Sequence, residues 1–360
     1  MGAKNGRLAA VRERLPSLGV DALLVTQAEN RRYMSGFTGS AGLLMVAREK
    51  ALLATDSRYW EQARLQSPTF ELVQIKTRVE DSLAELAERA GHPHRVGFES
   101  AAVTVDQLAT WSSVENLPVE WVPTREGVEP VRAVKDAKEL AAIRSAVSLG
   151  DAGFDYLCGI LRPGMTEREA AWELEIYLRT HGAEALAFDT IVASGPNGAM
   201  AHHHPGDRAL QAGEPIVIDF GVKVNGYCSD LTRTVSLGHA DVTFTQLHEV
   251  VRRAQQAALD GIHAGLTGAA ADALARAAIE AAGFGEQFGH GLGHGIGLAV
   301  HEAPRAGRTA VDETLPAGAT LTVEPGVYLP AWGGVRIEDL VIVRPAGVDV
   351  LSRAHKQPVV

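Results

Sequence analysis

The chain has 360 residues, 44 of them acidic and 34 basic, and a formal net charge of −10 with its 13 histidines neutral. With 46% hydrophobic and 22% charged residues it has the composition of a globular protein, which excludes disorder, collagen and coiled coil as the dominant state. The length favours two domains or one large one, and an acidic chain with no block of Lys and Arg is a poor match for nucleic acid, whose phosphates need clustered cations.

In chain order, the segment from Met1 to Arg7 and the charged residues after it lack the apolar core of a signal peptide. Residues 8–18 have helical spacing, 21–26 form a short apolar strand, and 42–47 and 51–55 two more. Residues 81–90 form an amphipathic helix ended by Gly91, and 96–98 another strand. These elements predict a small α/β domain over residues 1–125. Pro118, Pro123, Gly127 and Pro130 then mark a boundary, with 126–135 as a linker. From 136 to 360 the pattern changes. Helices are predicted at 136–156, 167–180, 245–264 and 269–282, and strands at 189–194, 216–224, 226–236, 320–329 and 334–343. Grouped helices and antiparallel hairpins make the fold class α+β. Each half of this region puts helices before an acidic hairpin, which suggests a duplication. No apolar run approaches the ~20 residues of a membrane span. The two cysteines, Cys158 and Cys228, are too few for a disulfide framework. A cytoplasmic location without membrane contact is the expectation.

Two hairpins carry paired carboxylates. The strands at 216–224 and 226–236 meet at Asn225-Gly226, whose two residues suit the positive φ angles of a type I′ turn. That turn puts Asp219 opposite Thr232 and Asp230 opposite Gly221, so Asp219 and Asp230 are diagonal neighbours on one face, roughly 7–8 Å apart at Cβ. Ile216, Ile218, Phe220 and Val222 mark a central strand that Asp219 interrupts. A buried carboxylate there demands a metal or a charge partner. In the second hairpin, a loop centred on Ala331 would set Glu324 opposite Glu338.

The segment from Phe288 to Glu302 holds His290, His294 and His301 among alternate glycines. Four-residue spacing of His290 and His294 would suit a metal-binding helix, but Gly at 289, 291, 293, 295 and 297 argues for extended chain that a substrate or another backbone approaches closely. At least one of these histidines is expected to be a ligand or proton carrier. In the run His202-His203-His204, the second and third read equally well as a polar loop. Four carboxylates and an imidazole suit two borderline divalent cations, Mn²⁺, Co²⁺ or Zn²⁺, and such a pair activates water for hydrolysis at neutral pH.

Asp219, Asp230, His294, Glu324 and Glu338, in this order and spacing, with His-Gly-Leu-Gly-His and Val-Glu-Pro-Gly-Val-Tyr around them, resemble the pita-bread dinuclear metallopeptidases. The segments Arg32-Tyr-Met-Ser-Gly-Phe-Thr-Gly39 and Thr55-Asp-Ser-Arg-Tyr-Trp60 are similar to the Xaa-Pro branch, prolidase and aminopeptidase P. The resemblance implies a carboxy-terminal pita-bread catalytic domain behind a smaller α/β domain. It implies that Asp219 holds one metal, that Asp230 and Glu338 bridge two, and that His294 and Glu324 bind the other, most simply Mn²⁺. It further implies Glu324 as general base, His202 near the scissile bond, His301 on the carbonyl oxygen, and His290 and Arg336 as supporting substrate-site residues. Arg336 and Glu338 share a strand face, so a contact between them is expected. The implied substrate is a short proline-containing peptide and the implied assembly a homodimer. The compact length leans towards an Xaa-Pro dipeptidase, with an aminopeptidase P acting on longer peptides as the alternative. A metal-free peptide-binding relative is the reading from another class.

Overall fold

The computed structural model describes residues 3–360, with side chains from residue 6 onward. It divides into two compact units, Met1–Arg132 and Ala133–Val360. Part of the segment 126–135 forms a short helix, Glu129–Ala133. Among the described residues no helix is long and apolar enough to cross a membrane.

In the first unit, helices α1 (Ala3–Leu18), α2 (Ala28–Ser35), α3 (Trp60–Gln66), α4 (Leu83–Arg89), α5 (Val105–Ser112) and α6 (Glu129–Ala133) accompany one six-stranded sheet. Its strands are β1 (Ala22–Val25), β2 (Leu43–Ala47), β3 (Ala51–Asp56), β4 (Glu71–Ile75), β5 (Arg95–Glu99) and β6 (Glu120–Thr124). They lie in the order β4-β3-β2-β1-β5-β6, antiparallel through β3-β2-β1 and parallel outside it. The central strands β1 and β2 are buried at every position, the continuous apolar runs that a covered sheet requires. The outermost strands, β4 and β6, were not anticipated from the pattern.

The second unit begins with α7 (Ala137–Ile160) and α8 (Glu167–Thr180). Capping boxes start both: Asp136 with Glu139, and Thr166 with Glu169. Then come β7 (Ala185–Leu186), β8 (Ile191–Ser194), β9 (Ala212–Gly213), β10 (Ile216–Phe220), β11 (Val222–Val224), β12 (Tyr227–Cys228), β13 (Leu231–Val235) and β14 (Leu237–Ala240). Two more helices, α9 (Val242–Gly261) and α10 (Gly268–Ala281), start on the side-chain caps Asp241 and Thr267. The chain closes with β15 (Gly293–Gly295), β16 (Glu302–Ala306), β17 (Thr320–Val323), β18 (Gly326–Leu329), β19 (Gly333–Arg336), β20 (Asp339–Arg344) and β21 (Gly347–Val350).

The architecture is two helix pairs, each covering a sheet. Leu157, Leu174 and Leu178 of α7 and α8 pack with Ile216, Ile218 and Phe220 of β10. Val251, Ala258 and Ala275 of α9 and α10 pack with Leu321 and Val341 of β17 and β20. The halves are tied along β13: Thr234 Oγ1 bonds both the N–H and the carbonyl of Arg336, and Glu338 N–H donates to Thr232 O at 3.0 Å. Both acidic hairpins are interrupted where continuous strands were expected. The first breaks at Gly221, where an added Cβ would lie 2.1 Å from Ser229 O. The second breaks at Pro325, which has no N–H to give a ladder. The breaks lie beside the carboxylates.

Candidate active site

Asp219 sits in the middle of β10, opposite Thr232 as the type I′ turn requires; Asn225 and Gly226 have φ of 51° and 77°. Asp230 occupies the gap between β12 and β13. Glu324 and Glu338 occupy the facing gaps of the second hairpin. Val323 pairs with Asp339 below them and Gly326 with Arg336 above, so one register runs through the break and sets the two glutamates opposite each other. His294 is central in β15, whose neighbours lie so close that a Cβ on Gly293 would stand 2.0 Å from Thr322 O and one on Gly295 2.2 Å from Ala303 O. The alternate glycines therefore serve close backbone approach in an extended segment.

These residues converge. Ligand atoms of Asp219, Asp230 and Glu338 lie within 4.8 Å of one another. His294 Nε2 is 3.4 Å from Glu324 Oε1 and 3.8 Å from Asp230 Oδ2. Around them is a cavity of about 460 Å³ lined by all nine side chains singled out from the sequence, His202, Asp219, Asp230, His290, His294, His301, Glu324, Arg336 and Glu338. His203, His204, Phe188 and Tyr328 also line it.

The electrostatics are those of a cation site. Asp230 and Glu338 are 6% and 1% exposed. Burial, reinforced by the neighbouring carboxylates, pushes both carboxyls well above their ordinary range. Burial also raises Glu324, against the opposing pull of Arg336 and His290. Asp219 Oδ1 and Glu338 Oε1 are buried and accept no hydrogen bond. An oxygen-rich cluster with orphaned acceptors has the chemistry that divalent cations complete, so the residues present fit bound metal. Burial lowers His290, His294 and His301, keeping these rings neutral and available as ligands or donors.

Arg336 departs from its expected contact. Its guanidinium reaches Asp219 Oδ2 at 2.5 Å rather than Glu338. It touches Glu338 only through a relay: Arg336 Nε donates to Thr232 Oγ1 at 3.1 Å, which donates to Glu338 Oε2 at 2.8 Å. Arg336 also donates to Tyr328 Oη at 2.7 Å, and that hydroxyl meets His290 Nε2 at 3.0 Å. Thr322 Oγ1 accepts from His294 N–H at 2.9 Å and donates to Glu324 Oε1 at 3.0 Å, coupling two members of the cluster. His301 stands edge-on to His294, ring centroids 4.2 Å apart.

Thr232, Thr322, Tyr328 and Glu167 were not picked out from the sequence. The threonines and Tyr328 look like ordinary strand formers, and Glu167 like the acidic first turn of α8. Their position opposite or two residues from a carboxylate was the available signal for Thr232 and Thr322.

Residues 141–345 match the model of metallopeptidase family M24, and residues 7–134 that of the creatinase/prolidase N-terminal domain. An uncharacterized peptidase of Bacillus subtilis, YqhT, is 38% identical over 98% of this chain and 99% of its own. The structure of an Xaa-Pro dipeptidase from Bacillus anthracis superposes with a TM-score of 0.96 at 37% identity, covering 99% of this chain and 100% of that one. An X-Pro aminopeptidase from Thermotoga maritima superposes at 0.88 with 36% identity, covering 98% and 99%. The chain belongs to metallopeptidase family M24, with a creatinase-type amino-terminal domain and a pita-bread catalytic domain.

Proposed function

We propose that the chain hydrolyses the Xaa-Pro bond of dipeptides, as a prolidase holding two divalent ions, with Mn²⁺ the expected metal and Co²⁺ or Zn²⁺ able to replace it. The carrying observation is the convergence of buried carboxylates with two oxygens left without donors. Full-length likeness to an Xaa-Pro dipeptidase supports the substrate class.

Asp219, Asp230, His294, Glu324 and Glu338 would hold the metals. Bound there, two divalent ions supply Lewis acidity and a water activated at neutral pH. Thr322 holds Glu324 Oε1, which leaves Oε2 to accept a proton from the attacking water. His301 donates to the carbonyl oxygen as negative charge develops on it, and His202, exposed on the pocket wall, contacts the peptide beside the scissile bond. Arg336 fixes Asp219 and, through Tyr328, the orientation of His290. A cytoplasmic homodimer is the expected working form, which light scattering would test for its oligomeric part.

One observation favours the second reading, an aminopeptidase P. Arg336 is the only Lys or Arg lining the pocket among the described residues, and it is committed to Asp219, Tyr328 and Thr232 rather than free for a substrate carboxylate. Turnover of Ala-Pro and Ala-Pro-Ala by metal-reconstituted enzyme decides between them; cleavage of the tripeptide alone would refute the dipeptidase. Full activity of Asp219→Asn or His294→Ala would refute the metal site. Near-zero metal after saturation and dialysis would favour a metal-free peptide-binding protein.

A further inference from the structure

Glu324 and Glu338 lie where their hairpin is interrupted, between the end of β17 and the start of β18 and between β19 and β20. A side chain is only as well placed as the peptide unit that carries it, and these two units sit outside the regular strands. Their N–H groups are nonetheless taken. Glu324 N–H donates to Leu292 O at 2.9 Å, and Glu338 N–H donates to Thr232 O at 3.0 Å. The other end of each unit is the carbonyl of the preceding residue, Val323 or Ile337. Both carbonyls accept from one side chain: Gln255 Nε2 donates to Val323 O at 3.1 Å and to Ile337 O at 3.2 Å.

Gln255 is completely buried on α9, on a face it shares with the apolar residues Val251, Ala254, Ala258 and Leu259. The amide nitrogen has two N–H bonds, so it can serve two carbonyls at once. The placement costs stability, because Oε1 is buried and receives no hydrogen bond. Gln255 does not line the cavity around the carboxylates, so its route to the site is through the backbone of β17 and β20.

We propose that Gln255 is a positioning residue for Glu324 and Glu338, a single amide that holds the peptide units of both glutamates from behind the site and so sets the spacing of their carboxylates. The inference rests on the metal-binding reading of these glutamates and deepens it. With the amide removed, each unit keeps the bond at its N–H but loses the one at its carbonyl, and the two glutamates no longer share a common restraint.

The test compares wild type with Gln255→Met, which keeps the length of the side chain but has no donor, and with Val251→Ala. Val251 lies one turn earlier on the same buried face, and its truncation weakens the core without removing a hydrogen bond. Mn²⁺ affinity is measured by titrating metal-free protein against a competing chelator, and kcat and KM for Ala-Pro and Ala-Pro-Ala at saturating Mn²⁺. In Gln255→Met the Mn²⁺ affinity should fall roughly tenfold or more, and kcat should fall while KM stays near the wild-type value. Val251→Ala should lose stability and keep both affinity and kcat. Should Gln255→Met not fold, Gln255→Asn, whose amide is drawn back by one methylene, carries the same comparison. Unchanged Mn²⁺ affinity in the Gln255 variant, or an equal loss of affinity in Val251→Ala, overturns the positioning role while leaving the metal site intact. Wild-type protein that binds no Mn²⁺ removes the metal reading and this role with it.

Discussion

Replacing Thr232 by valine exchanges one hydroxyl for a methyl at a fully buried position and leaves the backbone bond from Glu338 N–H to residue 232 in place. No cavity results, so the effect isolates the polar relay. Two hydrogen bonds disappear, the one to Glu338 Oε2 and the one from the Arg336 guanidinium. At about 0.5–1.5 kcal/mol for the first and about 1.5–3 kcal/mol for the second, less about 0.8 kcal/mol for the added buried methyl, the catalytic unit should lose on the order of 2 kcal/mol. Glu338 also loses the contact that orients it, which predicts a 10- to 100-fold fall in metal affinity. Amide exchange in β13 and β20 of the metal-free protein reports this unit alone, and titration of metal against a competing chelator measures affinity. Stability within about 0.5 kcal/mol of wild type, together with metal affinity changed by less than about twofold, would refute the relay.

Three further outcomes are expected. Burial and mutual repulsion raise the Asp230, Glu324 and Glu338 carboxyls in the metal-free fold, so that fold binds more protons than the unfolded chain; its stability should rise as pH falls through the raised values towards the ordinary carboxylate range, and bound metal should abolish the trend. Burial holds His248 down to about 4, so its contribution is present above the ordinary histidine value and lost as pH falls towards 4. By linkage about 3 kcal/mol of stability should disappear between roughly pH 6.5 and 4, and acid unfolding of His248→Leu should lack that step. Gly293→Ala would put a Cβ 2.0 Å from Thr322 O, so β15 must shift, and metal affinity measured by dialysis should fall even where the variant folds.

The catalytic unit was legible where geometry is local. A two-residue turn fixes register, so Asp219 and Asp230 could be set on one face from Asn225-Gly226 alone, and the centring on Ala331, whose φ is 65°, did the same for Glu324 and Glu338. The missed strands, β4 and β6, lie at the sheet edges. An edge strand needs only half a ladder and tolerates polar residues and proline, so Glu120-Trp-Val-Pro-Thr124 looked like part of a boundary. The expectation of an Arg336–Glu338 contact failed because strand alternation gives the face of a side chain but not its reach across to β10. The tie between Glu167 and His203 spans 36 residues of sequence and joins a helix start to an irregular loop, which no periodicity encodes.

The register that continues across the break at Glu324 and Glu338 has a consequence for how this protein tolerates change. The glutamates are located from below by β17 and β20, whose residues lie inside the hydrophobic core, and not by the turn around Ala331. Exchanges at the exposed Pro330 and Ala331 should therefore leave the carboxylates in place. The rest of the hairpin is bound to its present form, because Trp332 packs on the core and Tyr328 and Arg336 of β18 and β19 reach the site.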